Sequence, residues 1–259
     1  MEGFQPDPSE AERPEPSPVE RLREAEPYFE HLVDEMAEGI KGGRWTDVLG
    51  DDVSGRVPAL ILHDIIGRYQ TGHNKVPAQL SFAAIGFPSK ESEAAINNSG
   101  LPATAKYDMH RDATERKDAN LKARLQSLYG SGYTGRVLFV TEMMSTDQTV
   151  LRTSEILYEL GVSHDVVSVA DEKERGQRVV SGGDTLSYGG LDAPGVAAGT
   201  FTRLPHEHLY AEDPAFRAAV GVEKSGTDIV SYASRLDQLG VNNLRAEIAA
   251  MSDRLYQRL

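Results

Sequence analysis

Hydrophobic positions cluster most sharply at Val137-Leu138-Phe139-Val140, four apolar residues in a row of which three are β-branched or aromatic. Such a run predicts a short strand buried on both faces. After a polar turn the spacing changes. Leu151, Ile156, Leu157 and Leu160 recur at helical intervals over residues 150–161, and Gly161 is placed to close that helix. Residues 162–169 read as a second strand. Strand, polar loop, helix, strand makes one right-handed βαβ unit, and its loop falls where parallel sheets bind ligands.

The pattern predicts further elements on both sides of that unit. Leu22, Phe29, Leu32, Val33 and Met36 form an apolar helical stripe over residues 19–40, with Pro27 as a break or kink and Gly42-Gly43 as its end. Trp45, the only tryptophan, is expected to anchor the next segment in the core together with Val48 and Leu49. Residues 56–68 run apolar for too long to be a strand, and Pro58 suits the first turn of a helix. His63 on that helix reads as a packing residue. A strand is expected over 79–87, a helical piece over 91–96, an irregular charged segment over 97–117 and a surface helix over 117–129. Glycines over 182–190 suggest a hairpin or extended loop. A short helical piece over 215–220 and two amphipathic helices, over 228–239 and 243–259, close the chain.

These elements predict an α/β fold with a mostly parallel sheet and helical additions at the N- and C-terminal ends. Residues 1–18 hold five prolines, several acids and almost no large apolar side chain. They read as a disordered acidic tail ahead of a single domain over 19–259.

Composition narrows the chemistry. Forty acidic residues stand against 27 basic ones, a net charge of −13. That balance disfavours nucleic acid and anionic membrane surfaces as partners, because phosphate backbones need clustered cations. The absence of cysteine excludes disulfides, thiolate nucleophiles and cysteine zinc sites. No run approaches the ~18 apolar residues of a membrane span. No basic region followed by an apolar run marks a secretory signal, so the cytoplasm is the expected location. His206-Glu207-His208 is the one cluster of metal-ligand residue types, but a third ligand is missing and Pro205 argues for a turn. No metal ligand is assigned there.

The polar loop after the first strand has two readings. Ser145 can cap the helix while Gln148, three residues on, reaches back to complete a capping box, an arrangement worth about 1 kcal/mol. Alternatively, free amides at the helix N-terminus, with the hydroxyls of Ser145, Thr146 and Thr149 beside them, form a phosphate cradle.

The stretch from Val137 to Thr149 resembles the signature of the type I phosphoribosyltransferases: an apolar strand, two adjacent acids, three residues, then Thr-Gly-x-Thr opening a helix. The acidic pair falls on Thr141 and Glu142, and the phosphate loop on Ser145, Thr146, Asp147, Gln148 and Thr149; the likeness covers about 35 residues well. It implies a sheet of the phosphoribosyltransferase type, with Glu142 on the ribose hydroxyls and Ser145 to Thr149 on the 5′-phosphate. Ser89 and Lys90, after an early strand, fall where the family holds pyrophosphate. The implied ligand is a phosphorylated ribose or a nucleotide, with magnesium accompanying the phosphates, and the resemblance admits a homodimer. If the chain is an enzyme, it exchanges pyrophosphate for a base at ribose C1. The alternative is a non-catalytic regulatory or protein-interaction member of the same fold. Two departures favour that alternative: Thr141 replaces an acid, and Asp147 replaces the glycine of the loop.

Overall fold

In a computed structural model, the described residues are 18–51, 55–83, 96–144, 148–171, 178–179, 186–188 and 232–259. The N-terminal stripe forms two helices, α1 (Pro18–Glu24) and α2 (Glu26–Gly42), which break at Ala25. Pro27 sits in the first turn of α2, where a missing N–H costs nothing. Gly43 ends α2 in the left-handed region at φ 70°, and its neighbourhood amides return to the Gly39 and Ile40 carbonyls. Strand β1 (Asp47–Asp51) follows, then α3 (Arg56–Gly72) and β2 (Gln79–Ala83). A long α4 (Ala103–Tyr129) leads into β3 (Arg136–Met144), α5 (Gln148–Glu159) and β4 (Ser163–Asp171). Short strands β5 (Arg178–Val179) and β6 (Leu186–Tyr188) precede the last helix, α6 (Tyr232–Tyr256).

The fold is α/β. The sheet runs in the order β2-β1-β3-β4-β6-β5. Strands β2, β1, β3 and β4 are all parallel; β6 continues parallel to β4, and β5 lies antiparallel to β6 at the edge. Alternation along the strands sorts side chains onto two faces. One face carries Val48, Leu138, Val140, Val167 and Val169 against α1, α2, α3 and α6. The other carries Leu49, Val137, Phe139 and Val166 against α4 and α5. The sheet is therefore covered on both sides, as parallel sheets require.

The helix after β1 leaves to one face and returns the chain outward to β2, whereas the helix after β3 leaves to the other face and leads to β4. Strands β1 and β3 are neighbours. Between their C-terminal ends the winding reverses, which is the place where open parallel sheets form a ligand crevice.

The opposite end of the sheet is pinned by buried polar groups. The Gln70 side-chain amide donates to the Trp45 carbonyl at 2.8 Å and its oxygen accepts from the Ala78 amide at 2.6 Å, tying the approaches to β1 and β2 together. Asp47 accepts from Thr46 Oγ1 at 2.8 Å and from the Tyr133 hydroxyl at 2.5 Å. Burial, and then that bond to Asp47, hold the Tyr133 phenol protonated well above its ordinary range.

Several expectations need correction. Residues 47–51 form a central strand rather than a mere anchor behind Trp45. Residues 103–117 are not irregular: they are the first half of α4, held by local pairs such as Arg111 with Asp108 and Glu115. The two C-terminal helices are one, α6, running through Gly240. Packing on α1, α2 and α3 offsets the propensity cost of that glycine, about 1 kcal/mol. His63 is a packing residue as expected, with Nε2 3.0 Å from the Ala78 carbonyl. Pro18, expected in the acidic tail, instead opens α1. The rest of that stretch, 1–17, the end of the expected strand at 84–87, the helical piece at 91–95, the one at 215–220 and His206 to His208 lie outside the described residues.

Candidate functional site

The C-terminal end of the sheet is built by register. Asp51 pairs with Ala83 of β2, Gly50 pairs with Val140 of β3, and Thr141 pairs with Ser168 of β4. Extending β1 by one residue past Gly50 sets Asp51 beside Thr141. Ala83, Asp51, Thr141 and Ser168 thus form one row across four strands, all buried. Their parity is that of Leu49, Phe139 and Val166, so the row lies on the face covered by α4 and α5. Helix α5 buries Val150, Thr153, Ser154, Ile156 and Leu157 on that side.

Gly55, the residue before α3, packs tightly against the ends of β1 and β3. A Cβ on Gly55 would stand 2.2 Å from the Val140 carbonyl oxygen and 2.6 Å from the Asp51 amide nitrogen, both backbone atoms. Glycine is required there for space, since its φ of −82° is ordinary. Gly50 is similarly enclosed by Phe82 and the Ala59 methyl, so β1, β2 and α3 approach more closely than a side chain would permit. Arg56, the first residue of α3, places its guanidinium carbon 5.0 Å from the centre of the Phe82 ring, a cation–π contact near the C-terminal end of β2.

Of the residues expected from sequence, Thr141 is a buried member of the row and Glu142 follows it on β3. Gln148 and Thr149 open α5, so the expected loop joins β3 to a helix N-terminus at the switch point. Ser145, Thr146 and Asp147 lie outside the described residues, as do Ser89 and Lys90.

No family model, curated protein or solved structure matches this chain. The site therefore rests on its own geometry.

That geometry adds Asp51, Gly55 and Arg56 to the residues read from sequence. A signal for them existed in Leu49-Gly50-Asp51 and Gly55-Arg56, a strand end, a turn and a helix start. As a cation site the row offers one carboxylate and two hydroxyls. Among the described residues no group of three or more His, Asp or Glu is arranged to hold a metal ion. Oxygen donors in this number suit a hard cation that arrives on ligand phosphates and keeps most of its water.

A groove of about 420 Å³ lies elsewhere, lined by His63, Asp64, Gly67, Arg68 and Thr71 of α3 and by Pro77 beyond its end. Its charges are already engaged: Arg68 pairs with Asp64 at 2.9 Å and with Asp253 of α6. It shares no residue with the crevice. Among the described residues no helix is long and apolar enough to cross a membrane.

Proposed function

We propose that this chain binds a 5-phosphoribosyl group or a nucleotide at the switch point between β1 and β3, as its resemblance to the type I phosphoribosyltransferases implies. One observation carries the reading. The resembling stretch begins on β3, beside the reversal of winding in a parallel sheet and next to Gly55, which has no room for a side chain. In this reading the amides and hydroxyls from Ser145 to Thr149 hold the 5′-phosphate at the N-terminus of α5, and Glu142 takes the ribose hydroxyls. Ser89 and Lys90 remain the proposed pyrophosphate contacts.

If the chain is catalytic, the C1–oxygen bond to pyrophosphate breaks as a base nitrogen bonds to C1. Carboxylates near the ribose stabilise the oxocarbenium-like charge that develops between the two events. A magnesium ion carried on the ligand phosphates would neutralise charge on the departing pyrophosphate.

A second reading is a non-catalytic member of this fold, used for regulation or protein interaction. Thr141 favours it by withholding a carboxylate, and Asp147 by setting a negative charge near a negative ligand. At ~4 Å that repulsion is about 1 kcal/mol in water and about 4 at an effective dielectric of 20.

A thermal-shift series on the full chain tests the reading, using phosphoribosyl pyrophosphate, ribose 5-phosphate and nucleoside monophosphates with and without magnesium. Ligand at a hundredfold excess over Kd stabilises by about 2.7 kcal/mol. A rise with at least one phosphoribosyl compound supports it, and Asp147→Gly should enlarge that rise. No shift with any of them sinks it and favours the interaction reading. Release of pyrophosphate from phosphoribosyl pyrophosphate with a panel of bases then separates catalysis from binding.

A further inference from the structure

We infer that Asp51 supplies from β1 the carboxylate that Thr141 does not bring to β3, so that the acidic pair of the site is split between two strands. This inference rests on the phosphoribosyl reading of the crevice and assigns a residue that the resemblance does not name.

Register carries the argument. Gly50 opposite Val140 sets Asp51 next to Thr141, and alternation puts both side chains on the same face. Parallel neighbours lie about 4.8 Å apart, so a carboxylate on residue 51 stands one strand spacing from where an acid on residue 141 would stand. A cation that keeps its water shell tolerates a displacement of that size, because it reaches carboxylates through water as well as directly.

Burial sharpens the assignment. Asp51 is only 6% exposed, and its neighbours in the row are the hydroxyls of Thr141 and Ser168, also buried. The strand end is also held firmly. The Gly55 turn packs on the Asp51 amide, and Gly50 packs on Phe82 and Ala59, so the backbone carrying the carboxylate is fixed on both sides. Glu142, the next residue along β3 after Thr141, is the other acid that the resemblance assigns to the ribose.

The test is calorimetric titration of the full chain with ribose 5-phosphate and with phosphoribosyl pyrophosphate, each with and without magnesium. The wild-type protein should bind phosphoribosyl pyrophosphate at least about tenfold more tightly when magnesium is present. Asp51→Asn should lose that gain while its affinity for ribose 5-phosphate falls far less. Adding Thr141→Asp to Asp51→Asn should restore a magnesium response, since the carboxylate returns one strand away. A merely structural Asp51 would lower stability and both affinities alike, with no rescue. Should Asp51→Asn fail to fold, Asp51→Ser is titrated in its place. Retention of the full magnesium gain by the variant overturns the assignment and leaves the phosphoribosyl reading intact. Absence of ribose 5-phosphate binding by the wild-type protein removes that reading and this inference with it.

Discussion

Trp45 donates its indole N–H to Asp165 at 2.8 Å, and both side chains are fully buried. The same carboxylate accepts from Arg44 Nε at 2.6 Å and from Arg136 Nη1 at 3.0 Å. One acid on β4 thereby gathers the approach to β1 and the start of β3. Removing one partner of a buried ion network leaves the others uncompensated, at about 3–5 kcal/mol. Asp165→Ala should therefore lower the melting temperature by about 10 °C, at about 2–4 °C per kcal/mol for a chain of this size. Arg254→Ala provides the contrast. Arg254 pairs with Glu26 and Glu247 from a side chain 45% exposed, and such pairs are worth about 1 kcal/mol or less. Equal losses in the two variants would show that Asp165 is not a keystone of the sheet.

Two glycines of α2 should respond in opposite directions to the same change. A methyl on Gly39 would lie 2.6 Å from Cη2 of the buried Trp45 ring, while a methyl on Gly42 meets nothing within 4 Å. Alanine gains at most about 1 kcal/mol over glycine in a helix. Overpacking against a rigid indole costs about 1–3 kcal/mol and so outweighs that gain at Gly39. Chemical denaturation should show Gly39→Ala less stable than wild type and Gly42→Ala unchanged or slightly more stable. A stabilised Gly39→Ala would mean that the indole does not pack on α2.

His164 predicts a slope of stability with pH. Its Nδ1 lies 3.1 Å from the Val162 carbonyl and serves as the donor, while Nε2 is buried without a hydrogen-bond partner. Burial lowers its pKa below the ordinary 6.5, outweighing the opposing effects of the Val162 carbonyl and Asp165. The unfolded chain then takes up the proton first as pH falls. Stability from this residue is complete above about pH 6.5 and is lost as pH falls from there through the lower folded pKa. His164→Asn should flatten the part of the stability profile between about pH 6.5 and 5 relative to wild type. Parallel profiles for the two proteins would show that the imidazole is already charged or solvated.

The parts of this molecule legible in sequence are those whose signal is local. Val137 to Val140 announce a strand by their own composition, α3 announces itself by the length of its apolar run and by Pro58, and α5 by helical spacing. Strand β1 does not, because Asp47-Val48-Leu49-Gly50-Asp51 has a glycine inside and acids at both ends. Its strand state comes from neighbours distant in sequence: β2 and β3 flank it, Tyr133 and Thr46 satisfy Asp47, and Phe82 fills the space over Gly50. The first half of α4 was hidden for a different reason. Its burial begins only at Leu121, so no apolar period marks the residues before it. The same division runs through the site. Glu142 and the loop after β3 are proposed from the chain itself, whereas Asp51 comes beside Thr141 only through strand pairing.

Gly55 offers the closest test of that pairing. Its φ of −82° suits any residue, so an alanine there would suffer from space alone. The obstacles at 2.2 and 2.6 Å are the Val140 carbonyl oxygen and the Asp51 amide, which cannot rotate away as a side chain can. To admit a methyl, Gly55 must lift off the ends of β1 and β3, which flank the proposed binding site. Gly55→Ala should therefore lose stability by about 2 kcal/mol and, in protein still folded at low temperature, weaken ribose 5-phosphate binding by about tenfold. Gly39→Ala is the control for stability without position, since it strains α2 against Trp45 at the other end of the sheet and should keep wild-type affinity. Titration of both variants well below their melting temperatures separates the two effects. Wild-type affinity in a destabilised Gly55→Ala would place the ligand away from the β1 turn, and with it would go the crevice as the binding site.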